Sequence, residues 1–301
     1  MGESLQRVAV FDVGTNNIQV LLAEYLEGRV ITRSRYSEVS ALGKDMHNRM
    51  IADEAFERFF YIIDKYIGVC RAFTNNIIIA GTSCSRDALN VGRIVDYLKV
   101  KYQIDYKILS PAQEATYNGL ANAYEFDYDK FLIFDIGGGS TEFTLIKDKK
   151  VEQFISIDLG IRRLNNKFGD DIQAIKKEIQ RLLGLIPNEF SQAKKLVGVG
   201  GTVTSISAVK QGIREYSSEK VHKSELKKSD ISHYIDAFKK MSFAEISELM
   251  PFEPQRAEII GTGLQIISQI MMKFSAQEIN ASDHNLMYGM AIDFFNAKDK
   301  I

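Results

Sequence analysis

Two short stretches constrain this chain more than anything else in it. The first runs from Phe131 to Ile146, FLIFDIGGGSTEFTLI; the second from Val8 to Leu22, VAVFDVGTNNIQVLL. Each reads as an apolar strand ended by an aspartate, a turn holding glycine, and a second apolar strand. Glycine lets the backbone turn tightly and brings amide N–H groups close to an anion. A carboxylate beside such a turn suits a divalent cation, since it repels a phosphate. The candidates are therefore Asp12 with Gly14, Thr15 and Asn16, and Asp135 with Gly137, Gly138, Gly139, Ser140 and Thr141; Glu142 adds a carboxylate across the second hairpin. A further glycine run, Gly198-Val199-Gly200-Gly201-Thr202, follows the apolar Leu196-Val197. Two such hairpins predict two similar halves facing each other, with a ligand in the cleft between them.

A chain of 301 residues suits two domains of about 150 residues. Its 45% hydrophobic and 26% charged residues are enough for two cores. A net charge of −1 offers no electrostatic case for nucleic acid or an anionic membrane. Cys70 and Cys84, beside apolar or small residues, read as buried free thiols and fit a cytoplasmic protein. The N-terminus lacks a signal pattern, and Gln6 stands where a myristoylation signal wants Ser or Thr. The apolar stretch Ile259–Met272 carries Thr262, Gln265, Ser268 and Gln269, so it reads as a core helix or a homodimer face and not as a membrane span.

Strands are expected at 28–37, 77–80, 106–109, 151–157, 196–199 and 278–280. Phe56, Phe59, Phe60, Ile63, Tyr66, Ile67 and Cys70 have helical spacing within Asp53–Phe73. Further helices are expected at 86–99, 110–124, 159–164, 171–185, 202–210, 229–240, 242–250, 253–274 and 286–296, and a loop at Leu42–Asp45. Ser110, Pro111 and Gln113 form a capping box, with Glu114 in the first turn where its charge suits the helix end. The four histidines, His47, His222, His233 and His284, read as solvated or core residues. Alternating strands and helices, each half opened by a hairpin, predict an α/β chain with a mixed sheet per domain. The boundary falls near 124/125, with residues 1–124 in one domain and 125–301 in the other; the last helix, about 285–301, packs back on the first.

Six motifs occur in order: DVGTNN at 12–17, GTSCSRDALN at 81–90, SPAQEA at 110–115, DIGGGSTE at 135–142, LGIRRL at 159–164 and GVGGT at 198–202; RAEII follows at Arg256. Together they resemble the exopolyphosphatase and guanosine pentaphosphate phosphohydrolase family. The resemblance covers nearly the whole chain and points to the short form, with two actin-like (ribonuclease H-like) domains. It implies that Glu114 activates the attacking water and that Glu142 is a second catalytic carboxylate, acting on the water or the metal. Asp12 and Asp135 would face Mg²⁺ or Mn²⁺. Arg86 and Arg163 would steady phosphate charge, and amides at 14–16, 137–140 and 200–202 would cradle phosphoryl groups, with Gly200, Gly201 and Thr202 forming the last cradle. The superfamily architecture would place Glu114 at a hinge between the domains.

The implied activity is hydrolysis of the terminal phosphate of polyphosphate, of guanosine pentaphosphate, or of both, with polyphosphate or a guanosine penta- or tetraphosphate as the partner. The chain departs from the family pattern at Gln113, where a second glutamate is usual. Asn17 and Gln19 stand for a serine and a basic residue. Asn285–Gly289, with Met287, stands where an arginine-bearing run is common. Two other functions remain open at this point: a sugar or carboxylate kinase, and a non-catalytic sensor of the same polyanions.

Overall fold

The computed structural model describes residues 6–44 and 46–298. The residues read for a signal or myristoyl site at 1–5, Asp45 of the expected loop and the last three residues of the expected C-terminal helix lie outside them. The chain divides into two compact units: one ends at Ala121 and takes in the stretch from Leu286, and the other is Asn122–Asn285.

The first unit is built on β1 (Gln6–Val13), β2 (Asn17–Leu26), β3 (Arg29–Val39), β4 (Ile77–Gly81) and β5 (Tyr106–Ile108), in the order β3-β2-β1-β4-β5. β1, β2 and β3 are antiparallel neighbours, while β4 and β5 run parallel to β1. The run Val8–Phe11 is apolar without alternation because both faces of β1 are covered. Ala9 and Phe11 pack with Phe56, Phe59 and Ile63 of α1 (Asp53–Phe73). Val8 and Val10 pack with residues of the C-terminal helix, among them Met287 and Phe295. α2 (Ser83–Asp87), α3 (Gly92–Tyr102) and α4 (Pro111–Asn122) follow the parallel strands. The capping box at α4 is formed: Gln113 Oε1 accepts from Ser110 N at 2.9 Å, and Gln113 N donates to Ser110 Oγ at 3.3 Å.

The second unit repeats the plan. β6 (Lys130–Ile136), β7 (Thr141–Lys147), β8 (Lys150–Ile157) and β9 (Leu196–Val199) are joined by β10 (Glu225–Lys227) and β11 (Glu278–Ala281), in the order β10-β11-β9-β6-β7-β8. Leu132 and Phe134 face a core shared with α5 (Ile161–Phe168), α6 (Ile172–Leu183) and α7 (Gly201–Lys210), while Phe131 and Ile133 pack with Phe126, Val197 and Val199. α8 (Ser218–Val221), α9 (Lys228–Phe238), α10 (Phe243–Leu249) and α11 (Ile260–Lys273) complete the unit, and α12 (Leu286–Lys298) belongs to the first.

The structure differs from the sequence reading at definite places. The helix expected at 86–99 is split into α2 and α3, because the connector is pinned elsewhere. Asn90 Oδ1 accepts from Ile51 N at 3.0 Å, its Nδ2 donates to Ile51 O at 2.9 Å, and Leu89 N donates to Arg49 O at 2.8 Å. The helix expected from 253 starts at Ile260; Pro254–Glu258 is a 3₁₀ turn, closed by Arg256 donating to both Glu253 oxygens at 2.6 Å. α8 and β10 were not foreseen: one is four residues and the other three, too short for periodicity to show. α11 is buried in its own unit through Ile260, Leu264, Ile267 and Ile270, which answers the choice between core and dimer face for this helix. Met287, at the position of a missing arginine, is fully buried core. Cys70 and Cys84 are buried thiols outside any disulfide, as expected. No described helix is long and apolar enough to cross a membrane.

Candidate active site

In an antiparallel pair, residues directly opposite each other share a face. Asp135 of β6 stands opposite Glu142 of β7, and Glu142 opposite Ser156 of β8. The three form a row across the end of the second sheet. Glu142 is buried, and its Oε1 accepts from Ser140 Oγ at 2.6 Å and from Ser156 Oγ at 2.8 Å. A carboxylate buried this deeply needs such donors, or desolvation would drive it neutral.

The turn between the strands is locked by Gly137 N donating to Ser140 O at 2.9 Å. The carbonyls of its glycines are drawn onto the segment that opens α5. Gly137 O accepts from Ile161 N at 3.1 Å, Gly138 O from Arg163 N at 3.0 Å and Gly139 O from Arg163 Nε at 2.7 Å. Arg163 therefore acts first on the loop: it turns the carbonyls inward, which leaves the opposite side of each peptide to present N–H. Among the described residues, the N–H groups of Gly138 and Gly139 have no hydrogen-bond partner. Gly160 lets this contact form, since a Cβ there would lie 2.2 Å from Gly139 C. Thr141 is fully buried, with its hydroxyl donating to Leu159 O.

The second glycine run meets the same row. Gly200 has φ +93°, and a Cβ on it would lie 2.9 Å from Asp135 Oδ1. Glycine keeps the space beside that oxygen open. Gly201 begins α7, with Arg256 stacked so closely that a Cβ would fall 2.1 Å from its Nη2. Thr202 is buried against Gly263 of α11. Asp135, Glu142, residues 137–140, Arg163 and Gly200–Thr202 are thus assembled within one unit.

The first unit carries the same device in weaker form. Gly14 N donates to Asn17 O at 2.9 Å, and the row across the sheet is Asp12, Gln19, Ser37. Gln19 occupies the place that Glu142 holds in the other sheet, and it accepts from Arg35 Nη2 at 3.3 Å. The carbonyls of Thr15 and Asn16 accept from Gly43 N at 2.9 Å and Ala41 N at 2.7 Å. Glu114, in the first turn of α4, is buried and ion-paired with Arg86, whose Nη1 also donates to Leu109 O at 2.6 Å. Leu109 N in turn donates to Gly81 O at 2.9 Å, and Thr82 N to Val13 O at 3.3 Å. These bonds tie the Glu114–Arg86 pair to the ends of β4 and β1.

Sequence reasoning missed two contributors. Arg256 was recognised only as part of a motif, although its guanidinium lies against the start of α7. Ala41 and Gly43, just before and within the loop expected at 42–45, cap the first turn as residues 159–163 cap the second. The signal was present: Leu42-Gly43 matches Leu159-Gly160.

Two sheets, each with three antiparallel strands followed by two parallel ones in the same order, the second sheet carrying β10 as an added antiparallel edge strand, define actin-like α/β units. The chain belongs to the Ppx/GppA phosphatase family, whose model matches residues 30–297. It is 30% identical, over 95% of its length, to a bifunctional 3-dehydroquinate synthase/phosphatase of Fusobacterium nucleatum, and spans about half (46%) of that relative. Exopolyphosphatase 2 of Mycobacterium tuberculosis is 24% identical, with 96% of this chain and 98% of the relative covered. The crystal structure of an exopolyphosphatase from Cytophaga hutchinsonii shares the fold, with a TM-score of 0.87 at 22% identity over 97% of this chain and 98% of that one.

Proposed function

We propose that this chain is a metal-assisted phosphoanhydride hydrolase that removes the terminal phosphate of inorganic polyphosphate, of guanosine pentaphosphate, or of both. The observation that carries the reading is the row Asp135–Glu142 beside a turn whose three glycine carbonyls are taken up by Ile161 and Arg163. Such a row is suited to a cation and such a turn to a polyanion. The family and the names of its relatives support the substrate class.

Phosphoanhydride cleavage passes through a loose transition state with charge on the peripheral oxygens. In this reading the N–H groups at 15–16, 138–140 and 200–202 receive that charge, those of Gly14 and Gly137 being spent inside their turns, and Arg86, Arg163 and Arg256 are the proposed cations. Glu114 takes the proton of the attacking water, and Glu142 orients the water or the cation. Arg86 holds the Glu114 carboxylate and is itself a phosphate ligand, so substrate that draws Arg86 toward phosphate leaves Glu114 a better acceptor.

Asp12, Asp135 and Glu142 are the proposed ligands of Mg²⁺ or Mn²⁺. Their hard oxygen donors fit such an ion, as does the space Gly200 keeps beside Asp135. The ion supplies Lewis-acid charge when bound. The cytoplasm is the compartment that suits the buried thiols.

The test is phosphate release with Mg²⁺ from polyphosphate, guanosine pentaphosphate and ATP. Release from one of the first two, lost in Glu114→Gln, is expected. Binding without release from any substrate makes the protein a sensor instead, and transfer that needs an added acceptor makes it a kinase.

A further inference from the structure

Away from the glycine turns, the second unit brings Glu125, His222 and His284 together from three separate segments: the chain after α4, the turn after α8 and the stretch after β11. One ligand atom of each lies within 4.8 Å of the others. Glu125 Oε2 is 3.4 Å from His222 Nε2, and Glu125 Oε1 is 3.4 Å from His284 Nδ1. The two imidazoles stack at 4.0 Å between centroids. The residues are partly buried, with side-chain exposures of 30%, 12% and 18% in the same order.

Separations of 3.4 Å are long for hydrogen bonds between such groups. The two run to different oxygens of Glu125, and each is short enough for both of its atoms to lie about 2.0–2.1 Å from one ion. Two imidazoles and a carboxylate also form the donor set that Zn²⁺ takes with an open fourth position, and one that Mg²⁺, a seeker of oxygen ligands, disfavours.

The geometry points to a second metal site in this chain, a His₂Glu site for Zn²⁺ or a similar borderline divalent ion, separate from the glycine turns and their carboxylates. Its surroundings supply the outer partners such a site uses. Ser282 Oγ is 3.3 Å from His222 Nδ1 and donates to Asn122 Oδ1 at 2.6 Å, so it accepts the Nδ1 proton when Nε2 is the ligand. Asp283 N, now donating to His222 Nδ1 at 3.3 Å, gives up that long bond. Lys223 Nζ, 2.9 Å from Glu125 Oε2, occupies the carboxylate in the ion's absence; its side chain is 48% exposed and free to swing into water. Glu125 and His284 stand beside the two points at which the chain leaves this unit, near Asn122 and Asn285. An ion here clasps those two segments to each other and to the turn after α8. The inference stands independently of the proposed hydrolase activity.

Zn²⁺ titration of the tag-free full chain against a chromogenic chelator tests it. The expected result is one tightly held Zn²⁺ per chain, lost in His222→Ala and in His284→Ala and kept in Asp135→Asn. Ser282→Ala, with all three ligands in place, should weaken binding about 10- to 100-fold. Zn²⁺ should raise the melting temperature of the wild type and not that of Glu125→Gln, a variant that keeps the shape of the side chain. Co²⁺ should give a four-coordinate visible spectrum only when both histidines are present. Zn²⁺ held equally well by the His284→Ala chain, or not held by the wild type, overturns the site.

Discussion

Glu114 concentrates the residue-scale case. Its own stretch reads as a first-turn acid and the motif resemblance alone gives it the role of base; its burial and its Arg86 partner come from residues 28 positions apart. As a general base it should account for about 10²–10⁴ in rate. Glu114→Gln is therefore expected to cut phosphate release by that factor while the far-UV circular dichroism stays native; release within threefold of the wild type removes Glu114 from the role. At Gly160, a Cβ would meet Gly139 C at 2.2 Å and Gly138 O at 2.4 Å, which are backbone atoms with no rotamer to escape by. Gly160→Ala should destabilise by about 1–3 kcal/mol in urea unfolding. It should also lower substrate affinity, since the clash displaces the turn proposed to receive the polyanion.

At the scale of elements, α1 was readable end to end because its apolar spacing and its acidic first turn agree with the packing it meets. Gly68 is an exception within it: exposed, mid-helix and with nothing within 4 Å of a built Cβ. Gly68→Ala should stabilise by about 0.5–1 kcal/mol, read as a rise in the denaturant midpoint without a change of slope. The break between α2 and α3 was not readable, because the bonds that cause it join Leu89 and Asn90 to Arg49 and Ile51. Periodicity reports neighbours along a helix and is blind to such partners. The same limit hid His222 and His284, each unremarkable in its own stretch of sequence. Gln113 shows the reverse: its cap is local, and the structure forms it as the sequence suggests. Gln113→Glu should leave both activity and stability near wild type.

For the molecule as a whole, acid and chelation are the informative perturbations. Arg181 at 2.7 Å and Lys167 at 2.9 Å donate to Glu178 and hold its carboxyl down at about 2, against an ordinary 4.5. Its folded value lies below its unfolded one, so its contribution to stability is fully present above pH 4.5 and is lost as pH falls toward 2. Glu178→Gln should therefore lower the melting temperature at neutral pH and have a shrinking effect below 4.5. EDTA should abolish phosphate release, and Mg²⁺ or Mn²⁺ should restore it. Burial pushes the Cys70 thiol up to about 12, so it should resist thiol reagents at neutral pH until the chain unfolds.

The sequence by itself determined the two strand–aspartate–glycine hairpins, the α/β class, most helices and the likeness to a phosphatase family. Each of these is written in contiguous residues, where glycine freedom, apolar spacing and capping act locally. Only the tertiary structure decided which carbonyls of the glycine turns face inward, that Arg163 and Gly160 hold them there, that Gln19 stands in the first sheet where Glu142 stands in the second, and that three segments bring Glu125, His222 and His284 within reach of one ion. Those outcomes depend on strand register and on packing between residues far apart in the chain, and neither is encoded in any single stretch of it.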